Sequence, residues 1–221
     1  MSPNHILSRL SPDDFGLLEP HLEAVELPVR KRLEARNRRV EQIYFPESGI
    51  ASVVASGARA IEVAIIGRDG MTGLSVVMGN NERAPHETYM QVAGTGLSMS
   101  ADDLRNAIGT SVVLHHVLLR YAYAFMIQAT QTALANGCGK IEERLSRWLL
   151  MAADRVDGNE IALTHEFLAT MLGVRRSGVT VAVQQLERAG LISHRRGVIT
   201  ILDREAVEQR SNGTYFPPSD E

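Results

Sequence analysis

Apolar residues return at helical spacing twice in quick succession near the C-terminal end of the chain. Phe167, Leu168, Met171 and Leu172 lie on one face of a first short helix, and Val179, Val183 and Leu186 on one face of a second. The two stripes predict a helix pair packed into one shared core. Gly173 stands between them, where the tight turn of such a pair favours a left-handed residue. Thr164 is placed to cap the first helix, whose N-terminus offers free N–H groups to an anion. Past Gly190 the period changes to that of a strand through Leu191 and Ile192. His194, Arg195, Arg196 and Gly197 then form a basic turn, and Val198–Leu202 reads as a second strand. Helix, helix and basic hairpin predict a winged helix-turn-helix, a DNA-binding arrangement whose tip touches phosphate.

Upstream the pattern differs. Ser11-Pro12-Asp13-Asp14 reads as a helix start, with serine as N-cap and proline at the first helical position. From about Val25 to Ser98 come short β-type runs, among them Gln42–Phe45, Gly49–Val54, Ile61–Ile66 and Tyr89–Val92. Separated by Gly, Asn and Pro, they predict a small barrel or sandwich. Ser100-Ala101-Asp102-Asp103 repeats the capping signal. The longest helix follows, from about Ser111 to Asn136, with Leu114, Leu118, Tyr121, Phe125, Gln128 and Thr132 along one stripe and Arg120 as its one formal charge. A helix this apolar buries more than one face, and a second copy of itself is the natural cover for the other. A buried helix inside a monomer is the alternative. Asn136-Gly137-Cys138-Gly139 is expected to break it as a hinge. An amphipathic helix then begins with Ile141, Leu145, Trp148 and Leu149 facing a core.

Net charge over the 221 residues is only −3. It is unevenly spread: Thr164 to Thr200 holds five Arg against two Glu, a local basic footprint. The single cysteine, Cys138, excludes a disulfide within the chain and any four-cysteine cluster. The N-terminus lacks a secretory pattern, and no run reads as a membrane span, so a cytoplasmic protein away from membranes is expected.

The order barrel, long helix, glycine-containing break and winged helix-turn-helix resembles the CRP/FNR family of bacterial transcription regulators. The resemblance is sharpest in Ile141–Leu150 and in Leu163–Ile192. Tyr44–Ile50, followed by Val63–Leu74, is similar to the sensor barrel of one branch. It implies an α+β fold: a jelly-roll-like double-stranded β-helix as sensor (1–110), a long dimerisation helix and hinge (111–137), a winged DNA-binding domain (138–210) and a flexible tail (211–221). It also implies binding to double-stranded DNA as a homodimer, on a pseudo-palindrome with half-sites ~34 Å apart, and RNA polymerase as a further partner if the protein activates.

Carried over by the resemblance, the base-facing front of the recognition helix falls on Arg175, Arg176, Ser177 and Thr180, with Val181 one step further. Arg176 holds the position of a guanine-reading arginine, worth about 1–3 kcal/mol of discrimination, with a phosphate contact as its other possible role. Thr164, His194, Arg195 and Arg196 are the remaining DNA-contact candidates. Ser177 and Val181 replace the glutamate and second arginine of cyclic-AMP-responsive members, so their operator is not expected here.

The ligand site departs further. Thr72-Gly73-Leu74-Ser75 lacks the carboxylate that holds a ribose hydroxyl in cyclic-nucleotide binders, and His86-Glu87-Thr88 stands where their phosphate-binding arginine belongs. Arg83 is the one nearby substitute, leaving a degenerate pocket around Gly73, Leu74 and Arg83. Burying a phosphodiester without a cation is costly, so no cyclic nucleotide, cofactor or metal is expected. Haem or metal on His86, His115 or His116 is a weak alternative, because neighbouring helix residues diverge. Two other readings stay open: a cyclic-nucleotide-responsive regulator using Arg83, and a sensor or adaptor whose winged domain binds protein. No nucleophile–base pair or phosphate loop points to an enzyme; Gly67-Arg68-Asp69-Gly70 lacks the lysine such a loop needs.

Overall fold

The computed structural model describes residues 2–57, 60–79 and 83–217. They form two compact units, 1–55 with 66–127 and 56–65 with 128–221.

The first unit opens with α1 (His5–Ser8) and α2 (Pro12–Leu18), the latter capped as expected by Ser11, whose Oγ accepts from the Asp14 amide at 3.1 Å. Four strands follow a single 3-10 turn: β1 (Glu23–Leu27), β2 (Arg32–Glu34), β3 (Gln42–Pro46) and β4 (Ile50–Ser56). The next strand, β5 (Ala60–Ile66), lies largely in the second unit. Then come α3 (Leu74–Val77), β6 (Glu87–Val92), β7 (Gly94–Ser100) and α4 (Ala101–Thr110), which is capped by Ser100. The strands make antiparallel sheets, with β7 between β1 and β3, and β6 between β2 and β4. Ile43, Phe45, Met71, Leu104, Leu114 and Leu118 fill the core with no exposed surface.

The long helix α5 (Val112–Cys138) passes from one unit to the next. In the first unit the predicted stripe faces inward. Leu114 and Leu118 are fully buried, and Tyr121 Oη donates to the Met71 carbonyl at 3.1 Å. Gly70 is required beside that ring, since a Cβ there would lie 2.3 Å from Tyr121 Oη. In the second unit Gln128 pairs with the Ile65 backbone, accepting from its N–H at 2.7 Å and donating to its carbonyl at 3.1 Å. A polar residue in an apolar stripe thus satisfies a strand.

Two expectations about this helix need correction. The first concerns its exact end: within the expected Asn136–Gly139 break the helix runs through Cys138, and Gly139 ends it by donating to the Ala135 carbonyl. A Cβ at Gly139 would meet that carbonyl oxygen at 2.7 Å, so the glycine that matters is the last one. The second is that its 27 residues, with an 18-residue window of mean hydropathy 1.2, pass by length and composition for a membrane-crossing helix. On the inner face, Leu114 and Leu118 are buried against the first unit's core.

The second unit holds α6 (Ile141–Ala153), β8 (Glu160–Ala162), α7 (His165–Leu172), α8 (Arg176–Arg188), β9 (Ile192–Arg195), β10 (Val198–Ile201) and α9 (Arg204–Arg210). The wing has three strands rather than two, with β10 between β8 and β9. Residues 211–215, expected as part of a loose tail, are anchored, while Phe216 and Pro217 are exposed. Tyr215 is 6% exposed, donates to Asp154 Oδ2 and accepts from Arg204, while the Thr214 carbonyl accepts from Arg147 Nε. Burial first, and the Asp154 carboxylate second, push the Tyr215 phenol above its ordinary range. Residues 218–221 of that tail lie outside the described residues.

Candidate nucleic-acid interface

The interface begins with how α7 starts and stops. Thr164 Oγ1 accepts from the Phe167 amide at 3.3 Å, satisfying one of the orphan N–H groups of the first turn. Gly173 ends the helix at φ +60, with its own N–H and that of Val174 folded back onto the carbonyls of the last turn. Arg144 reaches the Leu172 carbonyl from α6, so the turn is held from outside as well. Arg175 is extended, and α8 starts at Arg176.

One face of α8 is buried: Val179, Ala182, Val183 and Leu186 are at most 1% exposed. Leu168, Met171 and Leu172 of α7 are buried too, as the two apolar stripes predicted. The opposite face exposes Arg175, Arg176, Ser177, Val181, Gln184, Gln185 and Arg188. Arginines thus crowd the N-terminal end, where the helix dipole and free amides also favour an anion. Gln184, Gln185 and Arg188 were missed in the sequence, although continuing the polar face by one and two turns would have found them.

Thr180 is only half exposed. Its Oγ1 donates to the Arg176 carbonyl at 3.1 Å and lies 3.2 Å from His165 Nδ1, so it braces α8 against α7. His165 in turn stacks on His194 with ring centroids 4.8 Å apart, and the His194 amide donates to Glu187. His194 therefore belongs to the base of the wing. Burial holds the His165 imidazole below its ordinary value, and the neighbouring His194 and Arg176 add to the effect. The tip is Arg196-Gly197, at φ +51 and +80, a two-residue turn of the mirror-image type that hairpins prefer. Arg195 and Arg196 are exposed there.

Residues 143–210 match the family model of the Crp-like helix-turn-helix domain. No curated protein matches the chain in sequence. Among solved structures the whole fold is similar to FixK2 from Bradyrhizobium japonicum, at 16% identity over 85% of this chain and 96% of that one, with a TM-score of 0.74. It is also similar to a CRP/FNR-family regulator from Eubacterium rectale (18% identity, 96% and 99% covered, TM-score 0.72). A CRP-family regulator from Thermus thermophilus gives 18% identity, 89% and 100% covered, and a TM-score of 0.70. The α+β fold of this chain is that of CRP/FNR regulators.

Beneath the Crp-like domain's turn, Trp148 Nε1 donates to Glu62 Oε1 of β5 at 2.7 Å, both side chains being buried. Burial lowers the Arg147 guanidinium to about 10, with the Glu62 charge acting the other way. The adjoining cavity, lined by Glu62, Arg144, Trp148, Met171 and Leu172 among others, has room for about one water. It is too small for an effector.

The candidate ligand pocket is occupied by the protein's own carboxylate. Gly73 sits at φ +83, and its N–H donates to Glu34 Oε1 at 2.9 Å. Thr88 Oγ1 donates to Glu34 Oε2 at 2.6 Å. Burial pushes the Glu34 carboxyl up, and those two hydrogen bonds partly offset the shift. Leu74 starts α3. Arg83 does not join this group, since its guanidinium is exposed and donates to the Asn37 carbonyl at 2.8 Å. Cys138 is exposed, and among the described residues no cluster of three or more metal-ligating side chains occurs.

Proposed function

We propose that the chain is a sequence-specific, DNA-binding transcription regulator of the CRP/FNR type, acting in the cytoplasm as a homodimer without a cyclic nucleotide. The observation that carries this reading is α8. Arg175, Arg176 and Ser177 are exposed together at the N-terminal end of a helix whose other face is buried. An arginine there reaches guanine O6 and N7 in the major groove, and Arg195 and Arg196 on the wing hold phosphate. Thr164, occupied as a cap acceptor, still has its hydroxyl proton for a phosphate oxygen. Thr180 and His194 act by positioning α8 and the wing.

The outer stripe of α5 supports the dimer. Val112, Leu119, Tyr123, Met126 and Ile127 expose between 37% and 68% of their surface along a helix whose inner stripe is already packed. A second copy of the helix covers such a stripe symmetrically. Glu34 supports independence from cyclic nucleotides, because it is held by Thr88, in the segment where the phosphate-binding arginine of cyclic-nucleotide binders belongs, and a phosphate there meets a carboxylate. The competing reading, with Arg83 as the phosphate ligand, requires Arg83 to leave Asn37 and Glu34 to leave Gly73. RNA polymerase is the further partner if the regulator activates.

Binding of the purified protein to its own upstream DNA, with and without cyclic AMP, tests the reading. Nucleotide-independent binding lost in Arg176→Ala supports it. Binding only in the presence of the nucleotide overturns it in favour of the Arg83 pocket.

A further inference from the structure

The densest positive charge in the chain is not in the helix-turn-helix. Between residues 30 and 39 stand Arg30, Lys31, Arg32, Arg36, Arg38 and Arg39, six cations against the single acid Glu34, and that acid is turned inward onto Gly73 and Thr88. All but Lys31 are exposed, with the Arg32 and Arg39 side chains 65% and 60% open to solvent.

The backbone fixes where these cations sit. Asn37 takes a left-handed conformation (φ +59), and its N–H donates to the Ala84 carbonyl at 2.8 Å. The Ala84 amide donates back to the Arg38 carbonyl at 3.0 Å, and Arg39 forms an isolated antiparallel bridge with Arg83. The turn after β2 is thereby zipped to the residues before β6, which adds Arg83 to the cluster. Arg83 closes the frame by donating to the Asn37 carbonyl. His86, pushed below its ordinary value chiefly by burial, also feels the Arg36 charge. Two of the pairs made here, Glu87 with Arg32 and Asp102 with Arg39, lie at the surface and are worth little.

Such a patch fits a polyanion, and its composition decides which. Protein partners bind through buried aromatic or aliphatic anchors. Here Val29 is the only exposed large hydrophobic side chain of the described residues between 28 and 40. Arginine forks on a rigid turn, with no apolar centre, suit the repeating phosphates of a nucleic-acid backbone. We propose that this arginine-rich turn is a second DNA surface, which grips the phosphate backbone of double-stranded DNA without reading its bases. It extends the DNA-binding reading to the first unit of the chain, and it is tested separately from the recognition helix.

The test uses the full-length protein and a 60-base-pair duplex of random sequence, with affinity followed by fluorescence anisotropy across a potassium chloride series. Three proteins are compared: wild type, a turn variant (Arg36→Gln, Arg38→Gln, Arg39→Gln, Arg83→Gln) and a reading-head variant (Arg175→Ala, Arg176→Ala, Arg195→Ala, Arg196→Ala). Each lost phosphate contact lowers the log–log salt slope by about 0.9. The turn variant is therefore expected to lose about 2–4 from the slope. The reading-head variant keeps the turn's share of binding. A turn variant with wild-type slope and affinity overturns the proposal, and if the reading-head variant still loses binding the recognition-helix assignment survives. A turn variant that loses poly-glutamate binding but not DNA binding overturns it in favour of an acidic protein partner. A reading-head variant that binds like wild type, while the turn variant fails, sustains the turn and sinks the recognition helix.

Discussion

Replacing Tyr123 with glutamate separates the proposed dimer interface from the fold. Tyr123 is 63% exposed in the protomer, so its side chain contributes little to the core. Of the ~200 Å² that a tyrosine side chain can bury, about 130 Å² is thus left for a partner. At ~25 cal/mol per Å² this amounts to about 3 kcal/mol per copy, and symmetry applies it twice, for about 6 kcal/mol per dimer. The glutamate adds the cost of a buried charge facing its own mate. A loss of ~6 kcal/mol raises the dimer dissociation constant about 10⁴-fold, so Tyr123→Glu sediments as a monomer at micromolar concentration where wild type is a dimer. Sedimentation velocity reads the mass, and the far-ultraviolet spectrum confirms that the protomer is still folded. A folded Tyr123→Glu protein that stays dimeric refutes the placement of the interface on this stripe. A wild type that is monomeric refutes the dimer itself.

Three further outcomes follow from contacts inside the protomer. Thr164→Ala removes the cap acceptor for Phe167 and costs about 1 kcal/mol in urea unfolding, most of it recovered by Thr164→Ser; equal midpoints for all three proteins would count against the cap. Trp148→Phe takes away the N–H that serves the buried Glu62 carboxylate and lowers stability by about 1.5–3 kcal/mol, whereas an unchanged midpoint means that this bond is not made. Glu34 has a folded pKa above its unfolded value of 4.5, so the folded state binds the proton more tightly. Its favourable contribution is complete below 4.5 and is lost as pH rises through the folded pKa. The stability of Glu34→Gln relative to wild type therefore grows from pH 4 to pH 7, and a difference that shrinks over that range contradicts the buried carboxylate.

The sequence was most legible where structure is local. Thr164, Gly173 and the stripes through Leu168 and Val179 each act within a turn or two, so spacing alone located α7, α8 and the turn between them. The inner stripe of α5 was visible for the same reason. Pairings over long separations left no such trace. Glu62 and Trp148 are 86 residues apart, and Glu34 meets Gly73 and Thr88 across 39 and 54 residues. Strand β8 is three residues long, too short for an alternating pattern to stand out. The segment after Arg210 reads as polar, yet Tyr215 finds a buried phenol partner in Asp154, 61 residues back. The bracing of Thr180 and His194 was not legible, because their mutual neighbour, His165, joins α8 to the wing only in three dimensions.

The most direct test of the account is the affinity of the purified protein for its own upstream DNA, measured without any nucleotide, for wild type and Arg176→Ala side by side. The account predicts specific binding by wild type, with Arg176→Ala weaker by about 1–3 kcal/mol and less able to tell the site from a version lacking its guanine. Equal affinity and equal discrimination in the two proteins would contradict it, as would specific binding that wild type achieves only when cyclic AMP is added.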